Sequence, residues 1–172
     1  MLATVTRRSC RMRVVRHSDR TPGFTLIELI VTIAVAAILA TLAAPSFRQF
    51  IVSQRIKNAS FDVVSALSLA RSEAVTRNAN VYFGRSSGWT SGWYVSVNSD
   101  GSSPLFTHEA FKNVTITDSA TLSQVIYGKD GRTSTAATKF NIAPATPLSG
   151  VTARCVSISL SGVPSSTSGA CT

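Results

Sequence analysis

Histidine occurs only twice in this 172-residue chain, cysteine three times and the carboxylates together eight times, which leaves little from which to assemble catalytic or metal chemistry. His17 and His108 stand far apart, and no spacing of His, Cys, Asp or Glu resembles a metal-ligand set. Paired carboxylates of the kind that serve general acid–base chemistry are missing, as is a glycine-rich phosphate loop. These absences argue against an enzyme and call for no catalytic group, no metal and no cofactor. His108-Glu109 reads as a surface or loop pair. Because acids are scarce, the 17 lysines and arginines carry the formal charge to +9. That excess is unevenly placed: Arg7, Arg8, Arg11, Arg13, Arg16 and Arg20 against Asp19 give residues 1–23 a charge of +5, leaving +4 for the remainder. A charge gathered in a short head is a poor argument for nucleic-acid binding by the folded part.

What the chain does have is a long uncharged run. Residues 29–44 carry no charge, and apolar character extends back to Phe24 with Glu28 as the one charged interruption. As a helix, residues 24–44 would reach roughly 31 Å, enough to cross the hydrocarbon core of a bilayer. The arginines in front of the run place the head in the cytoplasm and send the C-terminal part across the membrane. An ordinary secretory signal would be cut after the apolar stretch, and Leu42-Ala43-Ala44 offers such a site; a plain signal anchor would not be cut. Neither accounts for Glu28, since a carboxylate at the start of an apolar span is costly and marks a functional position.

The stretch Gly23-Phe24-Thr25-Leu26-Ile27-Glu28 resembles the cleavage and methylation motif of type IV prepilins. The resemblance implies a leader of residues 1–23, cut between Gly23 and Phe24 by a prepilin peptidase, and N-methylation of Phe24, with the apolar helix kept. The chemistry is intelligible on its own terms. Gly23 has no side chain to obstruct an extended backbone at a protease, and the arginines hold the bond near anionic headgroups. Glu28, one helical turn from the new amine, is placed to neutralise the amine of a neighbouring subunit, an interaction far stronger in low dielectric than in water. Glu28 also suits the positive end of its own helix.

Cys10 lies in the cytoplasmic head, so Cys155 and Cys171 are the pair that enters an oxidising space, where a disulfide is expected; two unpaired buried thiols are the alternative.

Beyond the run, Phe47, Phe50, Ile51, Ala59, Val63, Val64, Leu67, Ala70 and Ala74 recur at three- and four-residue spacing and predict that the helix continues to about Asn78. Arg48, Arg55, Lys57, Arg71 and Arg77 fall on its outer side, with Arg71, Glu73 and Arg77 forming a solvated or salt-bridged face. Pro45 lacks the donor that would reach the carbonyl of Thr41, so a kink is expected there, or else a break between two helices. Strands are predicted at 81–83, 93–97, 114–117, 124–127, 138–142 and 155–160, with turns at 98–101, 129–131 and 161–162. The tail after Leu160 reads as a Gly/Ser-rich loop pinned by Cys171. The fold expected is α+β, a type IV pilin-like long helix packed on an antiparallel sheet. Its divisions are a leader (1–23), a transmembrane and filament-core helix (24–44), an amphipathic half (45–79) and an exported β-rich head (80–172).

The stretch 69–78 and Gly92-Trp93-Tyr94-Val95 are similar to the GspH/FimT branch of minor pilins and pseudopilins. That resemblance implies a minor pilin that helps start or join a type IV pilus, or a minor pseudopilin of a type II secretion system. Its partners would be the prepilin peptidase, other major and minor pilins or pseudopilins, the inner-membrane assembly platform and membrane lipid. Some members bind DNA through a basic C-terminal segment resembling Gly-Arg-x-Arg. Here the corresponding residues are Ser161-Gly162-Val163-Pro164-Ser165-Ser166, with no arginine, which argues against DNA as a partner.

Overall fold

The computed structural model describes residues 23–135 and 137–172; the leader calls, including Cys10, His17 and the six arginines, lie outside the described residues. Contacts divide the chain into residues 1–40 and 41–172. One helix, α1, runs from Leu26–Arg77 and contains Pro45 without a break in assignment. Its buried positions in the second unit are Ile56, Ala59, Ser60, Val63, Ala66, Leu67, Ala70 and Ala74, a stripe at helical spacing. On the outer side, Arg77 Nε donates to Glu73 Oε2 at 2.6 Å, an exposed i,i+4 pair of the expected kind. Arg71 instead donates from Nε to the Gly131 carbonyl at 3.0 Å and ties the helix to a turn. The helix stops because Asn78 adopts a left-handed φ of 50°, which lets the Ala79 N–H return to the Ala74 carbonyl at 3.2 Å.

Eight strands follow: β1 Val81–Arg85, β2 Trp93–Ser96, β3 Pro104–His108, β4 Val114–Asp118, β5 Gln124–Tyr127, β6 Thr138–Pro144, β7 Arg154–Ile158 and β8 Pro164–Ser168. They form two four-stranded antiparallel sheets, ordered β3-β2-β1-β5 and β4-β6-β7-β8, where the sequence reading expected one. Two strands were not expected. β3 is an exposed edge that opens on a proline, so it has little apolar alternation to reveal it. β8 has the sequence PSSTS and corrects the reading of the tail as a loop. It pairs along β7 from Arg154↔Ser168 to Ile158↔Pro164, helped by a 2.9 Å Ser157–Ser165 hydroxyl contact. β7 also ends two residues before the expected limit. The turn that follows brings the Gly162 N–H to the Ser159 carbonyl at 2.9 Å, with Gly162 at φ 80°. A Cβ on Gly162 would come within 2.1 Å of the Gly131 carbonyl oxygen, so only glycine fits.

The two sheets meet through aromatic rings. Phe83 of β1 stacks on Trp89 at 5.1 Å, lies 5.9 Å from Trp93 of β2 and meets Phe140 of β6 edge-on at 6.0 Å. Cys155 of β7 and Cys171 are joined as the expected disulfide, which fastens the end of the chain beyond β8. The Cys171 N–H adds a 3.2 Å bond to Asn141 Oδ1 on β6. Replacing both cysteines by serine is expected to remove about 3 kcal/mol of head stability, the usual value for a loop of this length. Thermal unfolding of oxidised, reduced and doubly substituted protein checks this: reduced and substituted forms should melt together, below the oxidised form.

Tyr127 is fully buried, and its hydroxyl has no hydrogen-bond partner among the described residues. Burial pushes its phenol well above the ordinary tyrosine value, with Arg71 opposing the shift. Since the folded value is the higher one, its contribution is complete below the unfolded pKa of about 10 and is lost as pH rises beyond it. Tyr127→Phe, which leaves out the unsatisfied hydroxyl, should be at least as stable at neutral pH and lose less stability under alkaline conditions. Urea unfolding at neutral and alkaline pH compares the two.

Candidate functional site

Thr25 sets the start of α1. It is the N-cap residue: its Oγ1 accepts from the Glu28 N–H at 3.2 Å, and its carbonyl accepts from the Leu29 N–H at 3.1 Å. Thr25-x-x-Glu28 is thus the spacing of a capping box, a signal of the helix start that is present in the sequence. Glu28 falls in the first turn, where a carboxylate complements the positive helix end. Gly23 precedes the helix with nothing within 4 Å of where a Cβ would stand, and the Phe24 ring is 72% exposed. Gly23, Phe24 and Glu28 are therefore all exposed within the isolated chain.

The helix beyond them is apolar on every side. Leu26, Ile27, Ile33, Ile38, Leu39 and Leu42 are all exposed, and residues 23–48 have no buried position. An isolated soluble helix does not present such a surface to water; it is the surface of a segment surrounded by lipid or by other helices. Among the described residues, α1 is long and apolar enough to cross a membrane.

A second feature lies where this surface gives way to the head. A groove of about 540 Å³ has α1 as its floor, through Ala44, Phe47, Arg48, Ile51, Val52 and Arg55. Its wall is Asn113, just before β4, together with Pro144 at the end of β6 and Thr146, Pro147 and Leu148 beyond it. The Ala145 N–H donates to the Asn113 carbonyl at 3.2 Å and holds the two wall segments together. No carboxylate lines it.

Elsewhere, His108 is not the loose surface pair that the sequence suggested. It ends β3 with its ring against those of Trp93, at 4.4 Å, and Phe111, at 4.5 Å, which themselves lie 5.3 Å apart. Its Nε2 lies 3.5 Å from Asp62 Oδ2 on α1, and its Nδ1 is 2.6 Å from the Glu109 carbonyl, so the ring serves packing and attachment. Among the described residues, no three of His, Cys, Asp and Glu come together as a metal site.

Comparison with known proteins accounts for both ends of this arrangement. The family model for the type II transport protein GspH matches residues 59–162, and that for the prokaryotic N-terminal methylation motif matches residues 20–44. The type IV major pilin protein PilA of Myxococcus xanthus is 51% identical over 39 residues, which cover 23% of this chain and only 18% of that relative. Among solved structures, the type IV minor pilin FimU of Pseudomonas aeruginosa superposes with a TM-score of 0.58 at 22% identity, covering 65% of this chain and 87% of that one. The minor pseudopilin EpsH from the type 2 secretion system of Vibrio cholerae gives 0.53 at 12% identity, covering 66% and 97%. These two likenesses establish the fold. With the GspH model spanning more than half of its length and the methylation motif leading into its apolar helix, the chain belongs to the GspH family of type IV pilin-like proteins.

Proposed function

We propose that this protein is a minor pilin: a prepilin cut between Gly23 and Phe24, N-methylated at Phe24, held in the inner membrane by residues 24–44 and drawn from there into a type IV pilus. The observation that carries the proposal is the opening of α1, an apolar surface left exposed among the described residues, with one carboxylate, Glu28, in its first turn. Such a surface is stable in lipid and equally stable in a bundle of like helices, so one segment serves first as anchor and then as filament core. Within the bundle, Glu28 pairs with the Phe24 amine of a neighbour, and Pro45, exposed inside α1, is the point at which the helix bends to fit the filament.

The role in a pilus is supported by the likeness of the head to FimU and by the short match to a major pilin. A place in a type II secretion pseudopilus is the second reading, favoured by the GspH family description and the likeness to EpsH. Deleting the chain and scoring surface pili, twitching, secretion of folded exoproteins and DNA uptake in one strain separates them. Loss of pili and twitching supports the minor pilin; intact pili with failed secretion replaces it with the pseudopilin, and loss of DNA uptake alone with a DNA receptor.

A further inference from the structure

Residue 44 ends the uncharged run, and it is also the first residue of the groove between α1 and the head. Along a helix, Arg48 stands about 6 Å past that point, within a headgroup layer of roughly 5–8 Å just outside the hydrocarbon, and Arg55 about 16 Å past it, beyond that layer. Phe47 and Ile51 lie one turn apart on the floor, and Pro144, Pro147 and Leu148 give the wall an apolar surface. Neither arginine has a carboxylate partner among the described residues, and the lining has no acid to neutralise them. Lys112 extends the positive character beyond Arg55, in a neighbouring depression with Asn58, Ala110 and Phe111.

We infer that this groove is a seat for the phosphodiester headgroup of anionic phospholipid, which holds the head against the membrane surface while the subunit waits to enter a filament. This rests on the membrane-anchored reading above and names a partner for a part of the molecule which that reading leaves unused. The chemistry is that of an amphiphile: guanidinium groups fork onto phosphate oxygens while their methylene stems and the Phe47 ring lie against acyl chains. Asn113 and Thr146 supply uncharged polar groups at the rim. A second copy docked face to face would instead bring Arg48 and Arg55 against their own equivalents, an arrangement opposed by like charge.

The test uses the full chain in nanodiscs of phosphatidylcholine alone or with one third phosphatidylglycerol, reading backbone hydrogen exchange across residues 145–150. Phosphatidylglycerol should slow exchange there by about fivefold, the effect of one cation at an anionic surface, and added salt should reverse it. Arg48→Gln with Arg55→Gln, which alters only exposed side chains, should abolish the difference while protection of the 56–74 helix stripe stays unchanged. Equal exchange in the two lipids, slowing that survives in the double variant, or slowing that depends on two chains per disc would each overturn the lipid seat. Failure of the chain to co-elute with the discs would overturn the anchor reading as well, which separates the two.

Discussion

Glu28→Ala is expected to leave the bond after Gly23 cleaved and Phe24 methylated, yet to remove the subunit from sheared filaments almost completely. The substitution takes away an exposed carboxylate from a stretch, residues 23–48, that contains no buried position among the described residues. Its cost falls on assembly. A helix entering the bundle would bring its neighbour's amine into low dielectric with no partner, and stranding one member of a buried pair costs about 3–5 kcal/mol, a hundredfold or more in incorporation. The capping bond survives, since it runs from the residue 28 N–H to Thr25 Oγ1, so helix formation is not what the variant loses. Quantifying the variant in membranes and in the filament fraction checks this. Equal incorporation of variant and wild type would remove the role assigned to Glu28.

Phe83→Ala should have the largest effect on the head itself. Phe83 is fully buried and touches Trp89, Trp93 and Phe140, so it joins a strand of one sheet to a strand of the other. Truncation removes its transfer energy and leaves a cavity between rings too rigid to collapse, for a cost of about 3–5 kcal/mol. That is comparable with the whole stability of many domains. Denaturant unfolding should show a large drop in midpoint or a head already unfolded at room temperature. Phe83→Leu, which keeps most of the volume, should recover a good part of it. A midpoint unchanged by Phe83→Ala would mean that the two sheets are not held together there.

The helix was legible because its signals are local: the charge-free run and the three- and four-residue recurrence from Ala59 to Ala74 need no partner to be read. The central strands β1, β2 and β6 announced themselves for a related reason, since they alternate residues such as Val81 and Phe83, or Phe140 and Ile142, toward the core. β8 did not, because a strand of serine and threonine is defined by the neighbour it pairs with and by the Cys155–Cys171 bridge just beyond it. The division into two sheets was equally hidden, being decided by which faces pack on Phe83 and Phe140 rather than by any strand alone. At the candidate site, Gly23, Phe24 and Glu28 formed a contiguous pattern, whereas the groove unites residues 44–55 with Asn113 and 144–148, segments that only the fold brings together.

The central claim is that the apolar helix is retained and becomes part of a filament. Intact mass and N-terminal sequencing of this chain, recovered from sheared filaments, test it most directly. The account predicts a protein that begins at N-methylated Phe24 and keeps residues 24–44; a chain that begins after Ala44, or one found only in membranes with its leader still attached, would contradict it.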